Sequence, residues 1–221
     1  MLAEGRRFGP AVEEIFSLGR AAGLGIKKLP RLALDRLYGN GNHQGVVAVF
    51  DPVEYLSFDD FLQNLASPGP SLILALDQVE DPGNLGALMR SAAAFRAAGI
   101  VVPRERTAPL TPAAVKASAG ASENMPLVRV VNLRRALETL RDYGFWIVGA
   151  EGGESENLFE FDFPEKTVLV MGSEGRGLSS VAKKTCDFLI SIPQDDGLVN
   201  SLNVSVAGGI IMANYYRRFF S

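Results

Sequence analysis

Three short stretches carry the side chains best suited to chemistry. In DPGNLGALMR, Asn84 stands where a strand passes into a helix, and Arg90 follows six residues on. At 3.6 residues per turn the two lie about 120° apart, so they do not share a face. An arginine just behind a turn of small residues suits a phosphate, which it can grip with two parallel hydrogen bonds. Asn84 also reads as a helix cap, and Arg90 as a solvated surface residue. In MGSEGRGLSS three glycines fall within six residues, allowing a ligand to approach the backbone closely, and Glu174 is the one acid among them. In NSLNVSVAGGII, Ser201, Asn203 and Ser205 alternate with Leu202 and Val204.

Familiar motifs do not account for these stretches. MGSEGRG lacks the lysine of a phosphate-binding P-loop, and Met171 stands where Gly-x-Ser-x-Gly needs glycine. No Gly-x-Gly-x-x-Gly follows the strand ending at Val148. Gly208 and Gly209 sit in a helical run at about 1 kcal/mol each against alanine, so something should require close approach. Tight packing against another helix, of this chain or a second subunit, meets that need.

The positioning elements follow from pattern. From residue 71 onward apolar runs too short for buried helices alternate with helical segments: SLILALDQV, GIVVP, PLVRVV, FWIVGAEGG (running into a Gly-rich turn), TVLVMGSEG and DFLISIP are expected strands. Asp81, Thr111 and Asn132 are expected at helix starts, and Gly144 after a helix end. Alternation of this kind predicts an α/β fold, a parallel sheet with helices on both faces. Loops at the carboxyl ends of such strands are where small ligands bind, which places the segments after Val170 and Ile192 at a cofactor site. Before it, AVEEIFSLGRAAGLGI puts Val12, Ile15, Phe16 and Leu18 on one helical side. A second helix, LPRLALDRLYG, ends at Gly39. A strand follows in GNGNHQGVVAVF, and then a helix bearing Phe58, Phe61, Leu62 and Leu65. The Ser-Pro-Gly-Pro cluster supplies a linker at 67–71 between a first domain, 1–66, and a second, 72–221.

Composition narrows the function classes. The single cysteine, Cys186, excludes a disulfide framework, and the single histidine, His43, leaves a histidine-based triad or metal site without partners. The expectation is a soluble cytoplasmic protein with no membrane contact: no apolar run reaches the length of a span, and the first residues lack a signal core. Net charge is −3, but Lys and Arg exceed Asp and Glu by seven to four over 1–36 and by seven to three over 104–141. Over 151–166 there are six acids and one lysine. Such asymmetry can present a basic face.

Taken together the three stretches resemble the three motifs of the SpoU (TrmH) family of RNA ribose 2′-O-methyltransferases. DPGNLGALMRSA is similar to the first, LVMGSEGRGLS to the second and ISIP…SLNVSVA to the third, in order, across residues 70–218. KASAGASENMPLVRVVNL and HQGVVA point to the RlmB-like branch, which methylates a guanosine of large-subunit (23S) rRNA. The opening residues resemble that branch's small RNA-binding domain, with the strand expected before AVEEIFSLG missing. The resemblance implies a SPOUT-type Rossmann-like sheet with a C-terminal deep trefoil knot, against the general rule that chains are unknotted. It also implies a homodimer through the knotted region. S-adenosylmethionine is the implied cofactor, held near Gly149, Ala150, Gly172, Ile192 and Leu202. Arg90 positions or activates the ribose and its phosphate, while Asn84, Glu174, Ser201 and Asn203 shape the site. The leaving sulfonium becomes neutral, so no metal is implied.

One departure is the loop IPQDDGLVNSLN, where Asp195 and Asp196 stand beside the expected site in a segment one residue longer than the branch pattern. Alternative readings are a tRNA guanosine or resistance-type rRNA methyltransferase, or a non-catalytic RNA-binding protein of the same fold. A hydrolase would need a triad built on His43, which lies in the wrong region.

Overall fold

A computed structural model describes residues 1–4, 9–39, 43–49, 54–65, 68–153, 155–195 and 201–221. The chain divides into two compact units, Met1–Pro52 and Val53–Ser221. No helix among the described residues is long and apolar enough to cross a membrane.

In the first unit β1 (Leu2–Ala3) pairs in parallel with β2 (Lys28–Leu29), and Leu2 bridges Val46. The opening strand that the resemblance left missing is therefore present, formed by the first residues of the chain. The helices are α1 (Pro10–Ala21) and α2 (Arg31–Tyr38). Ala3, Leu34 and Val47 form a small core. The apolar side of α1 contributes nothing to it, because α1 has no buried residue and Ile15 and Leu18 are more than half exposed. The strand expected in GNGNHQGVVAVF is, among its described residues, only the single bridge at Val46. His43 is a structural residue. Its Nδ1 accepts from the Gly45 N–H at 2.9 Å, which leaves the hydrogen on Nε2 to donate to Asp35 Oδ1 at 2.8 Å.

The second unit opens with α3 (Phe58–Asn64), capped by Ser57. Phe61, Leu62 and Leu65 pack on the sheet of this unit, so the helix expected in the first domain belongs to the second. The unit boundary falls ahead of the 67–71 segment, whose last residue opens β3. The order continues as β3 (Ser71–Leu76), α4 (Pro82–Ala94), β4 (Gly99–Pro103), α5 (Pro112–Ser118), β5 (Leu127–Val130), α6 (Leu133–Asp142) and β6 (Trp146–Ala150). It ends with β7 (Glu156–Asn157), β8 (Lys166–Met171), α7 (Ser180–Thr185), β9 (Phe188–Ser191) and α8 (Val204–Phe220). The sheet runs β5-β4-β3-β8-β6-β9-β7, every pairing parallel.

Successive strand side chains point to opposite faces. Leu72, Leu74, Leu76, Leu169 and Met171 join the core under α4 and α8. Ile73, Ala75, Val168 and Val170 join the core under α3, α6 and α7. Burial on both faces is why these strands read as unbroken apolar runs. Asp81, Thr111 and Asn132 cap α4, α5 and α6 as expected, each accepting a backbone N–H. The two-residue β7, in the acidic stretch, carries no strand signal in the sequence.

Helix α4 lies close to both neighbours. A Cβ on Gly208 would meet Leu88 Cδ2 at 2.5 Å, so the glycine pair of α8 serves packing against α4 of the same chain. A Cβ on Gly86 would sit 2.2 Å from the Ala114 carbonyl oxygen and 2.6 Å from Ala117 Cβ. Gly86→Ala should therefore force α4 and α5 apart and cost about 1–3 kcal/mol, read as a lower urea midpoint at unchanged slope.

Candidate active site at the carboxyl ends of the strands

Strand β8 ends in a loop that folds back on itself. Ser173 and Gly177 exchange backbone hydrogen bonds in both directions, each at 3.0 Å. Gly175 (φ 78°) and Gly177 (φ 66°) take the left-handed backbone this turn requires. The loop walls a cleft of about 650 Å³, within the range of small-ligand sites. Four of the five residues expected to hold the cofactor line it: Ala150, Gly172, Ile192 and Leu202. Gly149 does not; a Cβ there would strike Cys186 Sγ and Leu178 Cδ1, both at 2.7 Å, so core packing explains that glycine.

One wall is apolar, built by Met171, Ile190, Val204 and Ile211, and suits a flat ring system. Glu151 and Arg176, from the loops around it, also line the cleft. Gln194 and Ser201 also line the cleft, and Asp195 is exposed beside them. Asp196 lies outside the described residues. Cys186 is no nucleophile: burial first, then the neighbouring Asp187 and Asp77 carboxylates, push its thiol up to about 12.

At this end of the sheet the three stretches meet. Asn84 Nδ2 donates to Glu174 Oε1 at 2.7 Å. Asn203 Nδ2 donates to the same oxygen at 2.5 Å and to Asn84 Oδ1 at 3.0 Å. Each member is held by its own element. The Asn84 N–H is capped by Asp81 Oδ1 at 2.8 Å. Asn203 caps α8, its Oδ1 accepting from Ser205 N and Val206 N. Glu174 rides on the closed glycine loop. Asn84 is therefore not the helix cap, a role Asp81 fills, and Glu174 is not a free turn acid. Ser201 is exposed at the cleft edge and stands outside the triangle. Arg90 is also apart from it: exposed on α4, with no hydrogen bond or ion pair among the described residues.

Sequence reasoning passed over Glu151, which sits one residue past β6, and Asp77, one past β3. The signal available for both was position, an acid just beyond the carboxyl end of a buried strand.

Residues 71–213 match the SpoU rRNA Methylase family, and residues 1–56 match the substrate-binding family of RNA 2′-O ribose methyltransferases. The chain belongs to the SpoU methylase family. Among relatives of this SpoU methylase is a Bacillus subtilis (strain 168) protein named as a TrmH-family tRNA/rRNA methyltransferase, 41% identical over 93% of this chain and 82% of its own length. An uncharacterized tRNA/rRNA methyltransferase of Mycobacterium avium (strain 104) is 41% identical over 91% of this chain, which spans 66% of that relative. Among solved structures, an AdoMet-bound rRNA methyltransferase from Sinorhizobium meliloti superposes with a TM-score of 0.79 and 29% identity, over 96% of this chain and 79% of the other.

Proposed function

We propose that this SpoU methylase transfers a methyl group from S-adenosylmethionine to the ribose 2′-hydroxyl of an RNA nucleotide, a guanosine of large-subunit rRNA. The observation that carries the reading is the Asn84–Glu174–Asn203 triangle, assembled from three distant stretches beside the cleft. The cleft fits the cofactor: an apolar wall for the adenine, glycine backbone for polar groups, and carboxylates for a ligand bearing a sulfonium cation. Gly172, Ala150, Ile192 and Leu202 hold it, with Gly149 acting only through the strand behind them.

When bound, S-adenosylmethionine supplies an electrophilic methyl on sulfur, which leaves as a neutral sulfide. The chain must hold the ribose oxygen in line with that methyl and accept the hydroxyl proton as the O–C bond forms. Glu174 donates no hydrogen bond and fixes the two amides, which orient the ribose. Ser201, exposed at the cleft edge, takes the hydroxyl proton as it passes its own to solvent water. Arg90 offers only N–H donors, so it grips the adjoining phosphate in a two-pronged contact and takes no proton.

The sheet order supports the knotted topology, since β8 lies between β3 and β6 and the chain then returns to place β9 beyond β6. Residues 1–56 bind the RNA, a reading supported by their family match. Two copies associate through the C-terminal region, where Val206 is half exposed on α8. A second substrate, tRNA guanosine, is favoured by the relatives' shared tRNA/rRNA names.

The test is transfer from labelled S-adenosylmethionine to unmodified rRNA and tRNA, with the product mapped by primer extension. One 2′-O-methylguanosine in large-subunit rRNA is expected. Transfer to tRNA alone would select the second substrate, and no transfer to either would leave a non-catalytic RNA-binding protein. Arg90→Ala should lower kcat by roughly 10²-fold with an unchanged melting temperature, because an exposed side chain without partners contributes little to stability.

A further inference from the structure

The glycine loop is closed by its own backbone, but something else fixes where it stands. Its last two amides are each taken by a carboxylate from a different strand end. The Leu178 N–H donates to Glu151 Oε2 at 3.1 Å, and the Ser179 N–H donates to Asp77 Oδ2 at 2.7 Å. Both acids are themselves pinned through the backbone. The Asp77 N–H donates to the Met171 carbonyl at 2.8 Å, and the Glu151 N–H to the Ile190 carbonyl at 3.0 Å. Asp77 is 6% exposed, while Glu151 lines the cleft and meets Lys183 Nζ at 3.4 Å. A Cβ on Gly177 would come within 2.9 Å of the Glu151 carboxylate, so the loop lies directly against it.

The arrangement exceeds what capping α7 requires. Ser179 already caps that helix, its Oγ accepting from Ala182 N at 3.2 Å. The two carboxylates act one step earlier, on the amides joining the loop to the helix. They tie the loop to the ends of β3 and β6, one behind the cleft and one in its wall.

We propose that Asp77 and Glu151 are positioning residues that brace the Gly172–Ser179 loop in the shape that receives the cofactor, without touching the transferred methyl. The brace rests on the S-adenosylmethionine reading of the cleft. It also links the substrate side of the site to the cofactor side, because the segment after Asp77 leads directly to Asn84.

A structural role alone would lower stability and leave cofactor affinity in the folded protein untouched. A brace separates KM from kcat. With Asp77→Ala, the Kd of S-adenosylmethionine by calorimetry and its KM should rise roughly 10- to 100-fold, the equivalent of one lost charge-assisted hydrogen bond. The kcat at saturating cofactor and the KM for RNA should hold. Asp77→Asn should restore affinity, since its amide oxygen accepts the same N–H. If Asp77→Ala does not fold, Glu151→Ala carries the test through the ligand-free exchange of the Leu178 amide it holds, because its carboxylate also lines the cleft. Without any ligand, the Leu178 and Ser179 amides should exchange with deuterium faster in both alanine variants.

Folded alanine variants with unchanged Kd and unchanged amide exchange would overturn the brace, as would a fall in kcat at constant KM. An unaltered protein that binds no S-adenosylmethionine would remove the functional reading and the brace with it. An unaltered protein that binds, beside variants that bind equally, removes the brace alone.

Discussion

Asn84→Ala should lower methyl transfer by roughly 10²–10³-fold, the usual cost of losing one preorganised polar group from a reacting centre, while the Kd of S-adenosylmethionine stays near that of the unaltered chain. Asn84 does not line the cleft, but its amide is the side of the triangle that joins the other two stretches. Without it Glu174 keeps one of its two donors, and the Asn203 amide loses one of its two acceptors. The glycine loop and the start of α8 then lose their shared reference point, and the ribose loses its fixed orientation. Stability should fall by about 2 kcal/mol, about 1 for each of the two lost bonds, with α4 itself kept because the Asp81 cap on the Asn84 backbone remains. Asn84→Asp should not rescue, since it sets a second carboxylate against Glu174. Single-turnover transfer, measured with calorimetric Kd and melting temperature, decides. Transfer by Asn84→Ala at the unaltered rate would remove the triangle from the reaction.

The triangle also shows what could be read in advance and what could not. Strand runs such as SLILAL and TVLVMG were legible because burial on both faces leaves unbroken apolar residues, and helix starts because Asp81, Thr111 and Asn132 are capping types. That Asn84, Glu174 and Asn203 share one site followed only from the resemblance, because their contacts span 90 and 119 residues, and no local pattern encodes such pairing. Local reading failed where packing overrides propensity. The side of α1 bearing Val12, Ile15, Phe16 and Leu18 was legible as a stripe, but the core of that unit closes without it. Gly149 was named through the resemblance, and the packing of Cys186 and Leu178 against it is a tertiary contact that no local pattern shows. The α3 helix was visible by periodicity, yet its attachment to the second unit depends on which sheet its phenylalanine reaches. Arg90 shows the opposite limit. Its spacing from Asn84 predicted a different face, and the structure leaves it exposed on the surface of α4.

Gly172→Ala should abolish cofactor binding at ordinary concentrations, with a Kd raised roughly 100-fold or more and the rest of the fold intact. An added Cβ would lie 2.2 Å from the Gly177 carbonyl carbon, 2.3 Å from its oxygen and 2.4 Å from Leu178 N. All three are backbone atoms, so no rotamer change can relieve the clash. The backbone cannot easily move either: the Ser173–Gly177 pair closes the loop, and Glu151 and Asp77 hold its last amides. Admitting a methyl group therefore means breaking hydrogen bonds worth about 1–3 kcal/mol each where a charge is involved, on top of overpacking of about 1–3 kcal/mol. The strain falls on the loop that walls the cleft rather than on the sheet core, so far-UV circular dichroism should be unchanged. Gly152→Ala is the matched control. Gly152 lines the same cleft, but a Cβ there meets nothing within 4 Å, so this variant should bind as the unaltered chain does. Equal binding by both variants would mean that the cofactor does not depend on the closed form of this loop. Loss in Gly172→Ala alone would tie affinity to the point where the loop folds back on the end of β8.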